Sequence, residues 1–243
     1  MSAARMRIFA GPNGSGKTTI FRELLASKQI DLGIYINADD IEIMLKEKGL
    51  LDLTSFGITA EESEVREFYM KSNLSALKRP KDKIWENIEV KDNIFRLVTN
   101  IDSYITADLA EFLRQKLMLQ GVSFTFETVM SHPSKIDFFK DALKKGYRIY
   151  FYYIATEDPE ININRVQLRV AQDGHDVNSK TIVSRYYRSL SQLKNAIKYT
   201  NRAYIFDNSG VKAKFIAEIT DGEDIKLNSS ASLPAWVAQY LLV

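Results

Sequence analysis

Residues 11–18 of this chain read GPNGSGKT. An apolar segment ends immediately before them at Ala10, and a helical pattern begins within them at Lys17. Closely spaced glycines let successive backbone N–H groups turn inward at the N-terminus of a helix, where they bind phosphate. The stretch therefore predicts a phosphate-binding loop between a first strand and a first helix.

The spacing G-x-x-x-x-G-K-[ST] is that of a P-loop, and we expect it to bind ATP with Mg²⁺. Lys17 would bridge the β- and γ-phosphates, and the Thr18 hydroxyl would coordinate the metal. The alternative is that this stretch is only a glycine-rich turn that binds no ligand. The predicted cofactor-binding residues are Gly11, Pro12, Asn13, Gly14, Ser15, Gly16, Lys17, Thr18, Thr19 and Asn208.

Composition narrows the class of protein. The 243 residues are 45% apolar and 26% charged, which is typical of a globular chain. A net charge of +2 is far from the basic surface that nucleic acid requires, and no apolar run is long enough for a membrane span. We therefore expect a cytoplasmic protein that binds neither. With no cysteine and two histidines, any metal must have oxygen ligands.

Strand and helix patterns alternate along most of the chain, which predicts an α/β protein of the P-loop NTPase fold, with a parallel sheet flanked by helices. We expect a single domain over residues 1–243. Residues 49–100 break the alternation and are predicted to be a mainly helical insertion. Two successive helical patterns within residues 159–199 are typical of a lid.

The segment YIFDN, residues 204–208, is the nearest candidate for the strand that carries the water-positioning glutamate of ABC-type ATPases. It ends in Asp207 and Asn208, so that carboxylate is missing and hydrolysis is disfavoured. In small P-loop kinases the base often stands at the end of a neighbouring strand. Asp39, in INADDI, occupies such a position and is the predicted base.

Several motifs together resemble those of zeta-toxin-like kinases. They are Asn37-Ala38-Asp39, FETVMSH at 126–132, RVQLRVAQDGHDV at 165–177, RYYRSL at 185–190 and NRAYIFDNSG at 201–210. The resemblance covers nearly the whole chain and is closest to a chromosomal branch described as predicted ATPases.

This resemblance implies ATP-dependent phosphorylation of a sugar hydroxyl, with UDP-N-acetylglucosamine as the acceptor of the best-known toxins. It assigns Lys17 and Thr18 to the phosphate loop, Asp39 to the base and Glu127 to substrate binding. We place Thr128 beside Glu127 as a further substrate-binding residue. If the protein is a toxin, we expect its antitoxin to be a separate chain.

Arginines complete the predicted site. Arg165 and Arg169 are four residues apart, so they share a helix face and are predicted to clamp the transferring phosphoryl group. Arg185, on the next helix, would join them and bind substrate. The best-known toxins carry a second lid arginine near the position of His175, where this chain departs from the family.

Each assignment has an alternative. Asp39 could cap the following helix, Glu127 could simply end its strand, and the arginines could lie on a solvated face. The segment 207–210 is first a turn and secondly a candidate wall of the adenine pocket. The alternative function is a nucleotide switch or slow ATPase that acts through a protein partner.

Overall fold

The computed structural model describes residues 3–28, 30–72, 83–171, 177–230 and 232–242. Its strands are β1 (Arg5–Ala10), β2 (Ile34–Ile36), β3 (Leu51–Asp52), β4 (Ile88–Lys91), β5 (Ile94–Leu97), β6 (Phe124–Thr128), β7 (Arg148–Ala155), β8 (Arg202–Asp207), β9 (Lys214–Thr220) and β10 (Asp224–Leu227). Its α-helices are α1 (Lys17–Ser27), α2 (Ala38–Lys48), α3 (Glu62–Lys71), α4 (Ser103–Gln120), α5 (Ser134–Lys144), α6 (Pro159–Val170), α7 (Ser179–Ile197) and α8 (Ala235–Tyr240).

The chain divides into two compact units. The first unit comprises Met1–Leu32 with Thr125–Val243, and the second comprises Gly33–Phe124. The prediction of one domain with an insertion at 49–100 stays a prediction.

The first unit is built on a sheet in which β10, β9, β8, β7, β1 and β6 are successive neighbours. Strand β7 pairs in parallel with β1 and with β8, so that Phe151 lies opposite both Ile8 and Ala203. Strand β9 pairs antiparallel with β8 and with β10, and β10 is the edge strand. The predicted α/β class with a mostly parallel sheet flanked by helices is confirmed. Because parallel strands end on one side, the segments that follow β1, β7 and β8 meet at one edge.

Helices α6 and α7 pack on each other through Ile163, Val166 and Ile182. Helix α6 begins where the Asp158 side chain accepts a hydrogen bond from the N–H of Glu160, with proline at the first helical position. The two helices match the predicted lid helices, whereas the lid role itself stays a prediction. Residues 172–176, which include His175, lie outside the described residues.

The second unit contains α2, α3 and α4 with a small antiparallel sheet in the order β3-β5-β4. Buried Leu109, Leu113 and Leu117 recur every four residues along α4 and form its core-facing stripe. Within the segment 49–100, the described residues form one α-helix, two 3₁₀ turns and three short strands. Strands therefore contribute to this segment together with its helix.

Helix α8 is an element that the sequence patterns did not predict. It buries Trp236 and Val237 and packs on α7. Across the described ranges, no helix is both long and apolar enough to span a membrane.

Candidate nucleotide-binding site

The loop between β1 and α1 depends on three glycines with positive φ. These angles are 142° at Gly11, 72° at Gly14 and 95° at Gly16. A Cβ atom would lie 1.9 Å from the Ile154 carbonyl oxygen at Gly11, 2.6 Å from the main chain of Asn162 at Gly14 and 2.2 Å from Asn208 Nδ2 at Gly16. Both the backbone conformation and the space therefore require glycine at these positions.

Lys17 and Thr18 occupy the first turn of α1, as the motif predicts. The Lys17 ammonium folds back over the loop and donates hydrogen bonds to the carbonyl oxygens of Gly11 at 3.0 Å and Pro12 at 2.9 Å. The positive charge is thereby held at the mouth of the loop.

Two asparagine side chains hold the loop from outside. Asn162 Nδ2, on α6, donates to the carbonyl oxygen of Asn13 at 2.5 Å, and Asn208 Nδ2, after β8, donates to that of Ser15 at 2.8 Å. The loop is thus attached to two separate elements of the first unit.

Several polar groups of the loop are left for a ligand. Within the part of the chain that the structure describes, neither the N–H of Gly14 nor that of Gly16 has an acceptor. The buried Ser15 hydroxyl also lacks a partner there, and no side chain caps α1. Unpaired donors at the N-terminus of a helix match phosphate oxygens, so the residues present fit the triphosphate of ATP.

Glu127 is brought to the predicted metal ligand. It lies near the end of β6, is half-buried, and its Oε2 accepts a hydrogen bond from the Thr18 hydroxyl at 3.0 Å. A hydroxyl and a carboxylate together are suitable oxygen ligands for Mg²⁺. Glu127 therefore lies beside the predicted metal ligand Thr18, whereas the sequence placed it with the substrate.

Thr128 serves the local backbone. Its carbonyl oxygen accepts from the N–H of Gly11 at 3.2 Å, and its hydroxyl accepts from the N–H of Met130 at 3.1 Å. Thr19, the next residue of the motif after Thr18, is exposed on α1.

Both candidate residues at the turn after β8, Asp207 and Asn208, use their side chains in hydrogen bonds within the protein. The buried carboxylate of Asp207 accepts from Trp236 Nε1 at 3.0 Å and from the Ser209 hydroxyl at 2.7 Å. The Asn208 side chain holds the loop at Ser15, as described above. A cavity of about 480 Å³ borders the turn and is lined by Glu157, Asp207, Ser209, Gly210, Lys214, Ser232, Leu233 and Pro234.

The three predicted arginines have different surroundings. Arg165 donates from Nη1 to the carbonyl oxygen of Asn208 at 2.8 Å and from Nη2 to that of Gly210 at 3.1 Å. Arg185 Nη1 lies 3.5 Å from Asn13 Oδ1 of the loop. Arg169 is exposed on α6. The structure thus brings Arg165 and Arg185 to the loop and its supporting turn.

Asp39 is not the cap of α2, which corrects the alternative reading of this residue. The cap is Asn37, whose side chain accepts from the N–H of Asp39 at 2.9 Å. Asp39 is exposed at the second position of the helix. The cap requirement therefore does not explain a carboxylate at this position.

Sequence reasoning missed Asn162 and the two residues behind it. Asn162 is fully buried, and its Oδ1 accepts a hydrogen bond from the Thr156 hydroxyl. The carbonyl oxygen of Thr156 accepts in turn from the Tyr186 hydroxyl at 2.6 Å. The available signal was an asparagine four residues before Val166, on the buried face of an amphipathic helix.

The site is a glycine loop with unpaired N–H groups, followed by lysine and threonine at the start of a helix. It lies at the edge of a parallel sheet. Together these features define a P-loop nucleotide-binding protein. A family model described as Zeta toxin matches residues 99–219. Over this range the chain is thus similar to zeta toxins, as its motifs predicted.

The chain is similar to several solved structures, of which the two with TM-scores above 0.5 support the fold. The native AvrRxo1-ORF1:-ORF2 complex is 14% identical with a TM-score of 0.54, covering 94% of this chain and 62% of that chain. The same complex with ATP is 15% identical with a TM-score of 0.53, covering 94% and 61%. The PezAT toxin–antitoxin system of Streptococcus pneumoniae is 16% identical with a TM-score of 0.47, covering 87% and 71%.

This chain therefore spans about 62% of the length of the first of these structures. No curated protein matches the sequence.

Proposed function

We propose that this protein is an ATP-dependent phosphotransferase that moves the γ-phosphate of ATP to a hydroxyl group of a small molecule. The zeta-toxin-like family and the phosphate loop support kinase chemistry. The nature of the acceptor is the part of the proposal that rests on the family resemblance.

The observation that favours phosphoryl transfer over ATP hydrolysis is how the side chains of Asp207 and Asn208, at the turn after β8, are used. ATPases of the ABC type use a glutamate at the end of such a strand to position the attacking water. Asn208 has no carboxylate, and its amide is committed to the Ser15 carbonyl oxygen. The neighbouring carboxylate of Asp207 is buried against Trp236. Neither residue is available to orient an attacking water.

Three residues of the first unit would handle charge on the phosphates. Lys17 would move its ammonium from the loop carbonyls to the β- and γ-phosphates, at little cost because the side chain is flexible. Thr18 and Glu127 would hold Mg²⁺, which when bound neutralises charge on the transferred group. The Thr18–Glu127 hydrogen bond supports this pairing.

Asp39 is the proposed base for the acceptor hydroxyl, because its motif matches the family and because Asn37 performs the capping role. Arg165 and Arg169 are the proposed clamp on the phosphoryl group. Arg185, whose guanidinium reaches Asn13 of the loop, is the proposed substrate contact.

The acceptor proposed is a sugar hydroxyl, with a nucleotide sugar such as UDP-N-acetylglucosamine as the first candidate. The adenine of ATP would lie at the turn 207–210, where the bordering cavity offers polar groups and a leucine.

The test is incubation of the protein with γ-labelled ATP, Mg²⁺ and a panel of nucleotide sugars. We expect a labelled sugar product that Asp39→Asn reduces by about 10²-fold or more, as is typical for loss of a general base. Asp40→Asn, the adjacent carboxylate on α2, is the matched control and should keep activity. Label that enters only inorganic phosphate across the panel would refute phosphotransfer and favour the slow ATPase.

A separate antitoxin chain is the proposed protein partner. Induced expression in a host should inhibit growth, and Lys17→Ala should relieve the inhibition if phosphate-loop function causes it. Growth that is equally slow with the Lys17→Ala variant would argue against a toxic kinase activity.

A further inference from the structure

The two asparagines outside the loop act on specific peptide groups. In a planar trans peptide the C=O and the following N–H point in opposite directions. A donor that holds the Asn13 carbonyl oxygen therefore turns the Gly14 N–H away from Asn162. In the same way, the donor on the Ser15 carbonyl oxygen turns the Gly16 N–H away from Asn208.

Both N–H groups oriented in this way are left unpaired. Throughout the described ranges, Gly14 and Gly16 donate to no acceptor. Each of the two carbonyls held by an asparagine is thus followed by an amide that is available for phosphate.

The same asparagines explain the glycines. A Cβ atom at Gly14 would lie 2.6 Å from the Asn162 carbonyl oxygen, and one at Gly16 would lie 2.2 Å from Asn208 Nδ2. Each glycine provides the space through which an asparagine approaches the loop.

Asn162 is held rigidly enough to direct the loop. It is 0% exposed, its amide oxygen is occupied by the Thr156 hydroxyl, and the Thr156 carbonyl oxygen is held by the buried Tyr186 of α7. Fixing the acceptor side of the amide also fixes which way its NH₂ group points. The orientation of the Asn13–Gly14 peptide is therefore set by side chains of α6 and α7.

We propose that Asn162 is a positioning residue for the β-phosphate, which acts with Asn208 by holding the loop carbonyls outward so that the N–H groups of Gly14 and Gly16 face the nucleotide. This inference rests on the proposed ATP binding. Asn162 itself contacts the Asn13 carbonyl, and the nucleotide would be contacted by the loop.

The experiment measures binding of ADP, AMP and pyrophosphate, with Mg²⁺, to the full chain by calorimetry. Asn162→Asp keeps the size and the acceptor for Thr156 but replaces the donor to Asn13 with an oxygen. Asn162→Ala removes the donor without adding charge, and Asn208→Ala removes the other donor. Asn164→Asp, an exposed asparagine two residues along α6, is the matched control.

We expect the Asn162 and Asn208 variants to bind ADP and pyrophosphate roughly 10- to 100-fold more weakly, the range for hydrogen bonds to a charged group. Binding of AMP, which has no β-phosphate, and binding by Asn164→Asp should change less than about twofold. The proposal is overturned if a folded variant of Asn162 has the same ratio of ADP affinity to AMP affinity as the wild type. An equal loss of affinity for both nucleotides is such a result.

The outcomes separate this inference from the proposed function. Wild-type protein that binds neither ADP nor pyrophosphate refutes both. Wild-type protein that binds them and shows the expected losses in the variants, but labels no acceptor, refutes only phosphotransfer.

Discussion

The Thr18 hydroxyl donates a hydrogen bond to Glu127 Oε2 at 3.0 Å, across 109 residues of sequence. This contact joins the first turn of α1 to the end of β6. It places a carboxylate beside the residue that P-loop proteins use to bind Mg²⁺. The motif FETVMSH is thereby connected to the phosphate loop itself.

Glu127→Gln should weaken the Mg²⁺ dependence of nucleotide binding. Glutamine can still accept from Thr18, but it has no charge with which to attract the metal. We expect the Mg²⁺ concentration at half-maximal binding of a non-hydrolysable ATP analogue to rise about tenfold or more. Glu160→Gln, an exposed glutamate on α6, is the control. If the Mg²⁺ concentration at half-maximal binding is unchanged and the KM for the acceptor is raised, Glu127 binds the substrate instead of the metal.

Arg165→Ala should destabilise the protein as well as lower its activity. The guanidinium ties α6 to the carbonyl oxygens of Asn208 and Gly210, and hydrogen bonds from a charged group are worth about 1.5–3 kcal/mol when the donor is lost. Because Arg165 is half-exposed, we expect a decrease near the lower end of that range in urea unfolding. Arg22→Ala, at an exposed arginine of α1, should leave the free energy of unfolding nearly unchanged. Equal stabilities of the two variants would contradict the anchoring role.

Gly16→Ala should cost stability through the contact with Asn208. A Cβ atom would lie 2.2 Å from Asn208 Nδ2, and alanine at a φ of 95° is strained, so we expect a loss of about 1–3 kcal/mol in thermal or denaturant unfolding. Gly210→Ala is the control, because its Cβ atom meets nothing within 4 Å. If both substitutions have the same effect, crowding at Gly16 is not what fixes the loop.

Alkaline pH should unfold the protein partly through Tyr152. This phenol is stacked 4.6 Å from Phe9 and 5.0 Å from Tyr204, and burial raises its pKa to about 12. An unfolded tyrosine has a pKa near 10, so its contribution to stability is complete below about pH 10 and is lost as pH rises to about 12.

Tyr152→Phe removes this ionisation. The slope of unfolding free energy against pH between those limits should then fall by up to about 1.4 kcal/mol per pH unit. Tyr187→Phe, at an exposed phenol, is the control. A slope that does not respond to Tyr152→Phe would show that other groups control alkaline unfolding.

Local patterns predicted most elements of the fold. The predicted start of α1, at Lys17, is the one observed, because a glycine before the helix and an apolar strand before the loop are local signals. Helix α8 was missed because six residues without a side-chain cap carry little periodicity, and its Trp236 is fixed by Asp207 from another part of the chain.

Some residues of the site could also be predicted from local patterns, and others could not. GPNGSGKT identified the loop, its lysine and its threonine, because the glycine spacing encodes the required backbone by itself. Asn162 escaped notice because its importance comes from Asn13, 149 positions away in sequence.

The sequence by itself determined that this protein has a phosphate loop, which strands and helices surround it, and which family it resembles, since these depend on local backbone preferences and short-range spacing. Tertiary structure decided which side chains hold that loop. Glu127 meets Thr18, and Asn162 and Asn208 hold the loop carbonyls, because a parallel sheet brings the ends of distant strands to one edge.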